Sequence, residues 1–158
     1  MAEVITNDNQ GELENAVTQK LLAGDHPVLI TLKEQLKFSS VKKRTRTGVG
    51  FFTEFQIGLE AKSIDIGIAD FILTDVKADI DGLKHGAGFA LHISNGFLDM
   101  LEGYCYDEIW PRKIDAFSIE YLRVIDQTAN SVSFGSTVKR DIESLPFLNI
   151  RSPGLNTT

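Results

Sequence analysis

The chain is expected to fold as an α+β domain, with N-terminal helices packed on one face of a mostly antiparallel, hairpin-rich sheet. Three observations carry this. Two stretches of helical period occupy residues 9–37, period-two stretches follow from Phe38 to Ile125, and Asn95-Gly96 stands between two apolar runs. Helices grouped ahead of strands are the α+β order of elements. Asn-Gly is a strong hairpin signal because a type I′ turn needs φ > 0 at both central residues.

Residues 1–8 are polar and read as a frayed N-terminus, followed by a single domain over 9–126. Asn9-Gln10-Gly11-Glu12 reads as a capping box, in which Asn9 accepts from the helix and Glu12 reaches back. Leu13, Ala16, Val17 and Leu21 then form one apolar stripe, and Gly24 is a natural stop. Pro27 suits the first turn of a second helix carrying Leu29, Leu32 and Leu36. Val28 to Leu32 is β-rich and competes as a strand, but the Leu32-Lys-Glu-Gln-Leu-Lys37 continuation holds strong helix formers.

From Phe38 the period becomes two. Lys42, Arg44 and Arg46 alternate with Val41, Lys43, Thr45 and Thr47, as in an exposed strand. After Gly48-Val49-Gly50, the next strand puts Phe51, Thr53, Phe55 and Ile57 on one face and Phe52, Glu54 and Gln56 on the other. Gly58 to Ala69 is a connection in which Ile64, Ile66 and Ile68 offer a short strand. Phe71 to Ile80 reads as one strand, with Ile72, Thr74, Val76, Ala78 and Ile80 opposing Leu73, Asp75, Lys77 and Asp79. Asp81 to Gly86 turns into the central hairpin, Phe89–Ile93 and Phe97–Tyr106, and Phe117–Ile125 is the last strand. Residues 127–158 are read as an irregular, loosely packed C-terminal extension.

Composition narrows the function. A net charge of -6 disfavours a nucleic-acid partner, and Lys42-Lys43-Arg44 with Arg46 reads as a solvated strand face. One cysteine allows no intrachain disulfide and no cysteine metal cluster. The start has no secretory pattern and no apolar run is long enough for a membrane span, so the expected setting is the bacterial cytoplasm, with no membrane partner.

Thr47-Gly48-Val49-Gly50-Phe51-Phe52-Thr53, Gly86-Ala87-Gly88-Phe89, Asn95-Gly96 and Leu98-Asp99-Met100-Leu101-Glu102-Gly103-Tyr104 appear in that order, with Trp110-Pro111 following. This set resembles a family of small uncharacterised bacterial proteins, over residues 27–125. The resemblance implies the same fold and an accessory role in bacteria, and brings no activity and no catalytic residue. His92 departs from its pattern, which expects an apolar or aromatic residue there.

No catalytic residue, metal or cofactor is expected from the residues. Gly48-x-Gly50 and Gly86-x-Gly88 lack the helix start and Lys-Ser/Thr continuation of a phosphate loop, and read as sites of close backbone approach. His26, His85 and His92 are scattered, and Asp79, Asp81 and His85 read as turn residues. Ser39, Ser40 and Ser94 have no recognisable base partner, and Cys105 reads as an apolar filler. Glu102, in an apolar strand, would have a raised pKa if it faced the core, but a structural pairing with Arg44 or Arg46 outweighs catalysis.

Tyr104, Tyr106, Asp107, Glu108 and Trp110 form the best contact surface, set against the plainer reading that Tyr104 and Trp110 close one end of the core. The resulting expectation is a non-enzymatic, acidic protein-binding module of immunity or accessory type, whose partner is a basic protein. The alternative is a small enzyme or ligand-binding protein with a pocket around Glu102, His85 and Arg44. A homodimer through a sheet edge or the Trp110 face is the third expectation.

Overall fold

The structure, a computed structural model, describes residues 9–65, 68–127 and 132–148. The chain is a mixed α+β protein, mostly sheet. Helices α1 (Gln10–Leu21) and α2 (Pro27–Lys37) precede strands β1 (Ser39–Arg46), β2 (Gly50–Ile57), β3 (Phe71–Leu73), β4 (Val76–Ile80), β5 (Ala87–Ser94), β6 (Phe97–Cys105), β7 (Phe117–Gln127) and β8 (Val132–Thr137). The sheet is antiparallel throughout, in the order β1-β2-β6-β5-β4-β7-β8, with β3 also paired to β5. The expected frayed segment 1–8 lies outside the described residues.

Both helices form where their periods place them, and Pro27 opens α2 as expected, but the start of α1 is built differently. Asn9 is the N-cap of α1, yet its side chain donates to the Asp115 carbonyl at 3.4 Å instead of accepting from the helix. At α2 the cap is His26, whose Nδ1 accepts the Val28 N–H at 3.1 Å, with Pro27 in the first turn. Leu13, Val17 and Leu21 of α1 and Val28, Leu29 and Leu32 of α2 share one buried cluster with Phe51, Leu73, Val76, Phe89, Leu91 and Leu101 of the strands.

Two polar side chains go into this core with every demand met. Glu14 accepts from Gln10 Nε2 at 3.0 Å, from Arg44 Nε at 2.9 Å and from Thr53 Oγ1 at 2.7 Å, joining α1 to β1 and β2. Gln35 accepts the Leu98 N–H and donates to the carbonyls of Lys62 and Gly96, all at 2.8 Å. It thereby ties α2 to the connection after β2 and to the central hairpin. A buried amide with all such bonds made is tolerated where an unpaired one is not.

The central hairpin forms at the expected turn. Asn95 and Gly96 have φ of 53° and 81°, and Ser94 pairs with Phe97 across them. A β-bulge follows at once, because His92 pairs with Met100 while Ile93 pairs with Leu98, leaving Asp99 as the extra residue.

The structure departs from expectation in three further places. Phe71–Ile80 is two strands, β3 and β4, both beside β5. Thr74-Asp75 interrupts the alternation, so Phe71 and Leu73 are buried with Val76, Ala78 and Ile80, and Ile72 is exposed. The interruption has a cause: the Asp75 carboxylate is held bidentately by Arg140 at 2.8 and 2.9 Å, and its carbonyl accepts the Leu122 N–H at 2.8 Å. In the connection after β2, Ile64 donates its N–H to the Gly96 carbonyl and neither it nor Ile68 is in a strand; Ile66 lies outside the described residues.

The third departure is the C-terminal stretch expected to be irregular. It contributes edge strand β8, paired to β7, and then returns to the core. Leu145 and Phe147 are buried, and the Phe147 ring packs on His26 at 4.7 Å and on Phe71 at 5.5 Å. Arg140 donates to the Leu21 and Ala23 carbonyls at the end of α1 while gripping Asp75, and lies over the Tyr121 ring. Isolated anchors in a polar stretch have no period, which is why sequence patterning misses them.

Candidate protein-interaction site

Strand β6 carries the site, and its bulge decides which side chains are available. Leu98, Leu101, Gly103 and Cys105 belong to the parity that enters the core, while Met100, Glu102 and Tyr104 share the opposite face. On β5 that opposite face holds Gly88, Ala90 and His92, directly paired with Tyr104, Glu102 and Met100.

Glycines make room for the aromatic rings on both faces. A Cβ on Gly88 would lie 2.8 Å from the Tyr104 ring, and one on Gly103 would lie 2.1 Å from the Phe51 ring. A Cβ on Gly50 would meet the Gly103 carbonyl oxygen at 1.9 Å. Gly50, Gly88 and Gly103 thus serve close approach within the sheet, as the spacing suggested for Gly50 and Gly88, whereas Gly48, with φ of 93° and open space around it, is a turn glycine.

Tyr104 stands edge-on to Tyr106, with ring centroids 5.7 Å apart. Burial pushes the Tyr104 hydroxyl up to about 12, helped by Tyr106 and by the Glu102 carboxylate, so it is a neutral hydrogen-bonding group at all physiological pH. Glu102 meets His92 Nε2 at 3.4 Å, across the strand and on the same face. Its partner is therefore His92, not Arg44 or Arg46.

The loop that leaves β6 is tied down at both ends. Cys105 donates its N–H to the Val49 carbonyl at 2.8 Å, and its thiol points to the Val49 and Glu108 carbonyls at 3.2 and 3.4 Å. Burial and the Glu108 charge raise the thiol pKa. Asp107 takes φ of 55°, which bends the chain. The Glu108 carboxylate then accepts the N–H groups of Lys84 and His85 at 3.0 Å. The Lys84 amide is the main reason that its pKa is lowered, and burial opposes the shift.

Trp110 is the other anchor. It is 1% exposed, packs on Phe51 at 5.2 Å, donates its backbone N–H to the Gly48 carbonyl at 2.7 Å and accepts from Arg46 Nη2 through its own carbonyl. Of the five expected contact residues, Trp110 is thus part of the core and Glu108 is spent on backbone amides. Tyr106 and Asp107 are presented to solvent, with Tyr104 half-covered beside them. Two apolar neighbours that sequence reading did not single out complete the patch: Ile109 is 77% exposed and Val49 is 53% exposed. Their signal was faint, since each is one aliphatic residue in a glycine- or acid-rich turn.

Glu102, His85 and Arg44 do not come together. Arg44 pairs across the sheet with Thr53, which pairs with Leu101, so Arg44 shares the core-side parity and binds Glu14. Glu102 lies on the other face, and His85 is in the exposed turn before β5. Among the described residues no group of three or more His, Cys, Asp or Glu is placed to hold a metal ion. No helix of the described residues is long and apolar enough to cross a membrane. Compared with known protein families, curated proteins and solved structures, the chain matches none.

Proposed function

We propose that the chain is a non-enzymatic protein-binding module, an immunity-type or accessory protein of the bacterial cytoplasm, whose contact surface is centred on Tyr106, Asp107 and Ile109. In this reading the two helices cover one face of the sheet, and the partner approaches the end of β6 from the other face. The observation that carries it is a pair of exposed apolar side chains on a loop held by the Glu108 carboxylate on one side and buried Trp110 on the other. A contact loop that is already ordered loses little entropy on binding, and aromatic anchors are where binding energy concentrates. The net charge of -6 favours a basic protein partner through long-range attraction.

The test is affinity capture from the source cell with wild-type protein and with a Tyr106→Ala/Ile109→Ala variant. A basic partner held at stoichiometric ratio by the wild type is expected to dissociate at least about tenfold more readily from the variant, since two anchors of this kind are worth upward of about 1.4 kcal/mol together. A wild type that retains no stoichiometric partner, or a variant that retains it equally well, overturns the reading.

A further inference from the structure

β1 stands at the edge of the sheet, and β2 is its only strand neighbour among the described residues. An edge strand turns the N–H and C=O of every second residue away from that neighbour. Thr47 donates its N–H to the Gly50 carbonyl at 3.0 Å, which makes Thr47 and Gly50 a hydrogen-bonded pair. Alternation along the register makes Thr45/Phe52 and Lys43/Glu54 bonded pairs as well, so the Arg44 amide and carbonyl point outward. Their direction is held from the side-chain end, because the Arg44 guanidinium is tied to Glu14 beneath α1.

Charge sets this edge apart. Lys42, Lys43, Arg44 and Arg46 fall within five residues of a chain whose net charge is -6. Arg44 is neutralised by Glu14, but Lys42 and Lys43 are exposed and form no ion pair with any described residue. Lys43 has Glu54 opposite it on β2 with no ion pair between them, whereas Lys77 of β4 meets Asp79 at 3.7 Å. Lysines on an edge repel the same edge of a second copy. By the same electrostatics they favour a strand that brings carboxylates.

We propose that the β1 edge takes up an acidic, extended segment of a partner protein as an added antiparallel strand. The segment's backbone bonds the outward amide and carbonyl of Arg44, and its carboxylates face Lys42 and Lys43. The bulge between Val41 and Lys43 limits the straight run to Lys43–Arg46, so the added strand pairs over about four residues. This site goes beyond the contact loop proposed above and uses none of its residues.

The experiment adds the blocked peptide Glu-Val-Glu-Val-Glu to the full chain and reads amide hydrogen exchange residue by residue. The Arg44 amide is expected to exchange about tenfold more slowly at saturating peptide. Lys42→Glu/Lys43→Glu, both at exposed positions, is expected to weaken binding about tenfold or more. The same peptide with N-methylated backbone is expected to give no protection. An Arg44 amide already protected without peptide, equal binding of the N-methylated peptide or of Lys-Val-Lys-Val-Lys, or no binding at all overturns the proposal. Loss of the Tyr106/Ile109 contact leaves this readout unchanged, so the two readings fail separately.

Discussion

Glu14 carries a carboxylate into the core and draws donors from its own helix, from β1 and from β2. Removing it leaves buried Thr53 and half-buried Arg44 without their acceptor, and a lost charge-assisted bond of this kind costs about 1.5 to 3 kcal/mol. Glu14→Ala is therefore expected to lower unfolding stability by about 2 to 3 kcal/mol, read as a drop in the urea midpoint at unchanged slope. Tyr104 gives a spectroscopic check of the other face. Its raised pKa means that folding favours the neutral phenol, so its contribution is intact below the ordinary value of 10.0 and is lost as pH rises toward about 12. Absorbance titration near 295 nm should show a late-ionising tyrosine that disappears in Tyr104→Phe.

Among the elements, β6 and its neighbours are controlled by glycines and by one bulge. Gly103 lies under the Phe51 ring, and Phe51 is fully buried against Phe89 and Trp110, so neither side can move aside. Gly103→Ala is expected to cost about 3 kcal/mol through overpacking, whereas Gly11→Ala, at an open position of α1, should stabilise by about 0.5 to 1 kcal/mol through helix propensity. Chemical denaturation of the two variants side by side measures both. The hairpin turn was legible in Asn95-Gly96, but the bulge at Asp99 was not. Counted straight from the turn, Glu102 would pair with Phe89 on the core side; with one extra residue it pairs with Ala90 on the opposite face and meets His92. A carboxylate that sequence alone leaves ambiguous is thus assigned by a single-residue register shift.

At the scale of the whole molecule, the last described residues close the fold. Phe147 fills the space between His26 at the start of α2 and Phe71 of β3, and Arg140 joins the end of α1 to the interruption between β3 and β4. Phe147→Ala is expected to destabilise by about 3 to 5 kcal/mol, seen as a lower thermal midpoint; a loss below about 1 kcal/mol would mean that the segment is dispensable. Local patterning was enough to predict the two helices, the antiparallel hairpins and the Asn-Gly turn, because each depends on neighbours within a few residues. Only the tertiary structure decided that Trp110 is an anchor rather than a contact, that Arg44 and Glu102 lie on opposite faces, and that Arg140, Leu145 and Phe147 belong to the core. Those outcomes depend on which distant groups meet in a dry interior, where an unpaired charge or an unfilled volume costs more than any local preference returns.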